Sequence, residues 1–170
     1  MLGRLATDRP HVAKVYGSYQ FPFGTQVGAS FYGASGTPVT TYVNTVNQIP
    51  VMVNGRGDMG RTPVLTQTDL IVSHEMKGRG QNRVRLELQV LNAFNQQTAR
   101  HFFNNRNRGA GVARQSSAIN LSNVDLAKGY DYNALIRATP SGANAFDPRY
   151  GQADLWQAGT QGQISVKFLF

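Results

Sequence analysis

The chain has 170 residues, 41% of them hydrophobic, with 18 glycines, no cysteine and a formal net charge of +8. Without cysteine there is no disulfide framework and no thiolate metal site, and only 15% charged residues argues against salt-bridged helices. The positive charge permits an anionic partner, but the arginines are scattered through Gly- and Asn-rich stretches, the pattern of solvated loops and not of a nucleic-acid surface.

In chain order, HVAKVYGSYQF (11–21) alternates with period two and predicts a strand. Ala13, Val15, Gly17, Tyr19 and Phe21 share one face; Lys14, Tyr16, Ser18 and Gln20 share the other. After the break PFG (22–24), TQVGASFYGAS (25–35) alternates again, so a tight hairpin is expected. Its short turn places Val15 opposite Phe31 and Tyr16 opposite Ser30, giving the hairpin one apolar and one polar face. Residues 36–63 carry Pro38, Pro50, Pro63 and several glycines without sustained periodicity, and read as a long loop. VLTQTDLIVSHEM (64–76) predicts a third strand, KGRGQN (77–82) a short turn, and RVRLELQVLNAFN (83–95) a fourth strand. From Gln96 to about Thr160 a very long loop is expected, with a short helix within 122–136, before a final strand at 160–170. No repeat and no domain boundary is legible, so residues 1–170 read as one segment.

Short turns at one end of a sheet and long loops at the other are expected of a transmembrane β-barrel. Four of the five segments reach the roughly 9–11 tilted residues that cross a bilayer. The apolar face would then meet lipid. The last strand, QISVKFLF, keeps Ile164, Val166, Phe168 and Phe170 on that face, with the terminal aromatic suited to an interfacial girdle. Tyr19 and Phe21, beside the first turn, would join the same belt. The opposite face would line the lumen, and its candidate functional residues are Lys14, Tyr16, Gln20, Asp69, Glu75, Arg85, Glu87, Gln89 and Lys167. Charge pairing along the wall, such as Glu75 with Arg83 or Arg85, accounts for many of them equally well.

GSYQFPFG followed by a strand, then SGTP, GRTPVLTQTDL, RLELQVLNAFN and an aromatic-ended strand resemble the C-terminal barrel of TonB-dependent outer-membrane receptors. The likeness is closest to the kind that carries a carboxypeptidase-regulatory-like N-terminal domain, and it extends over nearly all of residues 8–170. It implies an all-β fold: an antiparallel meander of about five transmembrane strands, an incomplete part of a 22-stranded barrel with long extracellular loops. It further implies a full-length parent in the outer membrane of a Gram-negative bacterium, taking up a nutrient with energy relayed by TonB. The partners implied are outer-membrane lipid, the remainder of the barrel and its plug, and the barrel-assembly machinery, which reads a C-terminal aromatic strand of the form ISVKFLF. The substrate is not named by the sequence. The start MLGRLATDRPH lacks the apolar core of a signal peptide, and a TonB box and plug are missing, so the chain is expected to be a fragment.

The competing reading is a soluble β-sandwich binding module of lectin, adhesin or phage type, in which the same apolar faces pack on each other. No catalytic site, metal site or cofactor is expected: His11, His74 and His101 are not spaced as ligands, and no nucleophile arrangement is present. GRGDMG (55–60) matches a dinucleotide pattern but follows no strand and opens no helix, and the RGD within it reads as chance. The loop aromatics and arginine Tyr42, Phe102, Phe103, Arg106, Tyr130, Tyr132 and Trp156 are candidates for ligand contact.

Overall fold

The computed structural model describes residues 3–47, 49–78, 82–108 and 117–169; Phe170 and half of the predicted turn at 77–82 lie outside them. In chain order the strands are β1 (Val12–Gln20), β2 (Thr25–Ala34), β3 (Tyr42–Asn44), β4 (Pro50–Met52), β5 (Leu65–Lys77), β6 (Arg83–Leu91), β7 (Ala99–Phe102), β8 (Ala153–Trp156) and β9 (Gln161–Leu169). The fold is mostly β and its large sheet is antiparallel, as the alternation predicts. Residue contacts divide the chain into two compact units.

The first unit (Arg9–Gly36, Pro63–Arg100 and Trp156–Phe170) is built on one sheet of five strands in the order β1-β2-β5-β6-β9. Within β1–β2, Val15 stands opposite Phe31 and Tyr16 opposite Ser30, the register the short turn predicts. That turn is closed by Phe21 N donating to Thr25 O at 2.7 Å and Gly24 N to Phe21 O at 3.1 Å. Gly24 adopts φ 89°, and a Cβ there would lie 2.7 Å from the Glu75 carbonyl oxygen, so the position needs glycine twice over. Because paired residues share a face, some rows keep one character across the whole sheet. Tyr19, Val27, Val72, Leu88 and Ile164 form an apolar row; Gln20, Gln26, Ser73, Glu87 and Ser165 form a polar one.

The fourth strand is shorter than its alternation suggests: it ends at Leu91 and not at residue 95. Asn92 and Asn95 adopt φ of 50° and 51°, a left-handed conformation that breaks the strand and that Asn tolerates better than most residues. Asn92 is 2% exposed. Its backbone N donates to Asp69 Oδ1 (2.8 Å), its Nδ2 to Gln96 O (2.9 Å) and Ala158 O (2.7 Å), and its Oδ1 accepts from Gln96 N (2.8 Å). One side chain thereby joins the end of β6 to the approach of β9.

The second unit (Met1–Asp8, Thr37–Thr62 and His101–Leu155) takes in most of the two expected long loops, which fold on themselves. Val43, Ile119, Ile136 and Ala145 form a buried core, with Val51, Tyr132, Leu135 and Phe146 among the residues packed on it. β3 pairs with β4, setting Val43 opposite Val51. The expected helix within 122–136 appears as two pieces, a 3-10 turn at Leu126–Lys128 and an α-helix at Tyr132–Arg137, parted at Gly129 (φ 78°). Asp131 starts the second by accepting hydrogen bonds from Asn133 N (2.9 Å) and Ala134 N (3.1 Å). Buried Asn107 stitches the unit together: its Oδ1 accepts from Asn44 N (2.7 Å), while its Nδ2 donates to Asn44 O (3.0 Å) and Ser117 O (2.7 Å). The sequence shows no boundary because each core residue comes from a different short segment, which leaves no period to read.

Candidate functional site

The register sorts the large sheet into two chemically different faces. Lys14, Tyr16, Gln20, Asp69, Glu75, Arg85, Glu87, Gln89 and Lys167 all lie on the same face. Toward the tight-turn end its charges form a ladder. Glu75 accepts from Arg83 Nη1 and Arg85 Nη2, each at 2.9 Å, and Lys167 Nζ lies 3.0 Å from Glu87 Oε2. Lys14 sits over the Tyr32 ring with its Nζ 5.9 Å from the centroid. Asp69 is held locally, accepting from Gln67 Nε2 at 2.9 Å as well as from Asn92 N. The ion pairs therefore join Glu75 to Arg85 and Glu87 to Lys167, while Lys14, Tyr16 and Gln20 stand on the edge strand without an ion pair among the described residues.

Between Tyr16, Ser18, Ser30, Asp69 and Gln89 the same face opens a groove of about 490 Å³ that the alternation alone does not show. Gly28 makes its floor: a Cβ there would come within 2.8 Å of Ile71 Cγ2, so only a residue without a side chain lets the strands close at this point. Tyr16, 84% exposed, stands at the rim.

The opposite face carries no Lys, Arg, Asp or Glu at any paired position. Its large side chains are bare, with Val15 65% exposed, Phe168 68% and Ile164 77%; Val166, Phe31 and Leu88 are exposed as well. At the tight-turn end its aromatics cluster. Tyr19 and Phe21 meet edge-to-face at 4.9 Å between centroids, and Phe21 stacks on Phe23 at 5.1 Å. His74, the exception to the apolar character there, has its Nδ1 2.8 Å from Thr25 Oγ1.

No family model, curated protein or solved structure matches the chain.

Of the loop candidates, Tyr42, Phe102, Phe103, Arg106, Tyr130 and Tyr132 belong to the second unit and Trp156 to the first. Arg106 lies 5.1 Å from the Phe146 ring centroid and 4.8 Å from that of Tyr150, with its Nε donating to Asn133 Oδ1 at 3.3 Å. Arg149 lies 4.3 Å over Phe103 and grips Asp147 with two bonds, Nε to Oδ1 at 3.0 Å and Nη2 to Oδ2 at 2.8 Å. That grip holds the buried Asp147 carboxyl below the usual carboxylate range, against the upward push of desolvation, and raises the Arg149 guanidinium in turn. Sequence reading reached Phe103 and Arg106 but not Arg137, Phe146, Arg149 or Tyr150, which stand in a stretch without period.

The RGD carboxylate is engaged within the chain. Asp58 Oδ1 accepts from Thr41 N at 2.7 Å and Oδ2 from Asn54 Nδ2 at 3.1 Å. Desolvation pushes this carboxyl up, but the hydrogen bonds from Thr41 and Asn54 outweigh it and hold the group low. Among the described residues no three His, Cys, Asp or Glu side chains gather as metal ligands. Among the described residues no helix is long and apolar enough to cross a membrane, which says nothing of strands.

Proposed function

We propose that this chain forms part of the wall of an outer-membrane β-barrel, of the kind found in TonB-dependent nutrient receptors, with the ion-paired face toward the lumen and the bare face toward lipid. The observation that carries the reading is the large sheet itself. One face is a charged ladder, the other a continuous apolar surface whose Val, Ile and Phe side chains remain exposed. In water such a face is a liability; against hydrocarbon it is stable. The aromatics Tyr19, Phe21, Phe23 and Phe168 at the tight-turn end suit an interfacial girdle. β1 and β9 each pair on one side only among the described residues, and in a bilayer those edges need further strands. In this reading the chain works as scaffold and solute-path wall, not as an enzyme, and TonB and the assembly machinery act on the longer parent.

The soluble sandwich would need a second sheet over the apolar face. Among the described residues the other sheets are two-stranded ribbons, β3–β4 and β7–β8, and the exposure of Val15, Ile164 and Phe168 supports no such cover.

The test uses tryptophan fluorescence in vesicles containing brominated lipid, with Trp156 replaced by Phe. Tryptophan placed at Leu88 or Val15 should be quenched strongly, and tryptophan at Gln89 or Lys14 weakly. Equal quenching on both faces, or a chain that stays out of the vesicles as a dispersed monomer, would overturn the proposal.

A further inference from the structure

We infer that Arg106 and Arg137, with Arg108 beside them, form a binding site around Phe146 for a soluble ligand bearing adjacent oxyanion groups, phosphate or sulfate in type. The inference rests on the second unit alone and stands apart from the membrane reading.

The three cations converge on one residue. The Arg106 and Arg137 guanidinium carbons lie 5.1 and 5.7 Å from the Phe146 ring centroid, and Arg108 Nε donates to the Phe146 carbonyl at 3.3 Å. Within a protein a carboxylate normally answers such cations. None does so here. Every side-chain carboxylate of the chain lies among the described residues, and those of this unit are engaged elsewhere. Asp8 binds Arg4 and Arg61, Asp125 binds Lys128, and Asp154 binds His101. Asp58 and Asp131 accept from backbone and amide N–H groups, and Asp147, the nearest in sequence, is filled by the fork of Arg149.

Hydrogen bonding points the same way. A guanidinium has five N–H donors in one plane. Arg106 commits its Nε to Asn133; its Nη groups, and all the donors of Arg137, have no hydrogen-bond acceptor among the described residues. Stacking over Phe146 and Tyr150 keeps Arg106 in place while its N–H edge stays free, the geometry in which arginine takes an oxyanion through paired bonds. A ligand with adjacent oxyanion groups would offer acceptors to both guanidinium groups. Arg137 and Arg108 are exposed and Arg106 is half-buried, so a soluble ligand can reach them.

The experiment titrates the full chain with sodium pyrophosphate at constant ionic strength set by chloride, in buffer or detergent, whichever keeps it dispersed, following binding by calorimetry. Saturable binding is expected, weakened by about tenfold or more in Arg106→Gln and in Arg137→Gln. Lys128→Gln, which removes an exposed cation elsewhere in the same unit, should leave it unchanged. Near-UV circular dichroism checks folding; if Arg106→Gln disturbs the unit, Arg137→Gln carries the decision, since the Arg137 side chain makes no hydrogen bond among the described residues. Absence of saturable binding, or equal weakening in Lys128→Gln, would overturn the site. Failure of lipid quenching on the sheet would leave this result intact, because the titration reads a different unit.

Discussion

Asn92 spends every polar group it has within the fold, so its loss should be felt far beyond one turn. Asn92→Ala strands Gln96 N, Gln96 O and Ala158 O and leaves a non-glycine residue in a left-handed conformation. Its unfolding free energy should fall by about 2–4 kcal/mol, against less than about 0.5 for the exposed Asn105→Ala. Denaturant midpoints of the two variants give the comparison, and similar midpoints would mean that the turn has other support. Asp147 and Asp58 add a pH dependence. Both carboxyls titrate lower in the folded chain than in the unfolded one. Their contribution is therefore fully present above about pH 4 and drains away as pH falls through the lowered values. Acid titration of the near-UV signal of Tyr132 and Tyr150 should show this loss, and Asp147→Asn should flatten it while weakening the unit at neutral pH. An acid limb of unchanged shape in that variant would assign the effect to other groups.

At the scale of the strand, the two faces should respond oppositely to the same charge. Val72 lies mid-row on the apolar face of β5, whereas Gln89 lies on the polar face of β6. If the sheet spans a bilayer, Val72→Lys should cost about 2–4 kcal/mol of folding free energy in lipid vesicles and Gln89→Lys much less. Matching losses would remove lipid from the apolar side. The β2–β5 contact offers a separate test, through packing. Gly28→Ala drives a methyl against the stiff, β-branched Ile71 and should destabilise by about 1–3 kcal/mol. Ile71→Ala in the same chain should restore part of that loss, since only a direct clash gives such coupling. Strictly additive variants would place the strain elsewhere.

For the molecule as a whole, the combination of a bare apolar face and two one-sided edge strands predicts behaviour in water. The chain expressed alone should aggregate in plain buffer and become dispersed in detergent, because neither the face nor the edges are covered. Sedimentation velocity with and without detergent reads this directly; a monodisperse species in buffer with a cooperative melt would count against any membrane role. The second unit, with its own core, should keep its near-UV signal in either medium.

The amino-acid sequence by itself determined which residues share a face and which strands pair. Side-chain alternation and short turns are local, and the register of Val15 with Phe31 follows from a turn only a few residues away. The nine residues assigned to the polar face are together on it for the same reason, and so is the Glu75 pairing with Arg83 and Arg85. Where β6 ends was not legible, because NAFN continues the apolar pattern while Asn92 turns left-handed to meet partners distant in the chain. Nor was the second unit, whose Val43, Ile119, Ile136 and Ala145 share no period and meet only on folding. The convergence of Arg106, Arg108 and Arg137 on Phe146 and the groove above Gly28 were likewise decided by tertiary structure alone. Both depend on how segments far apart in sequence approach one another, which no window of neighbouring residues encodes.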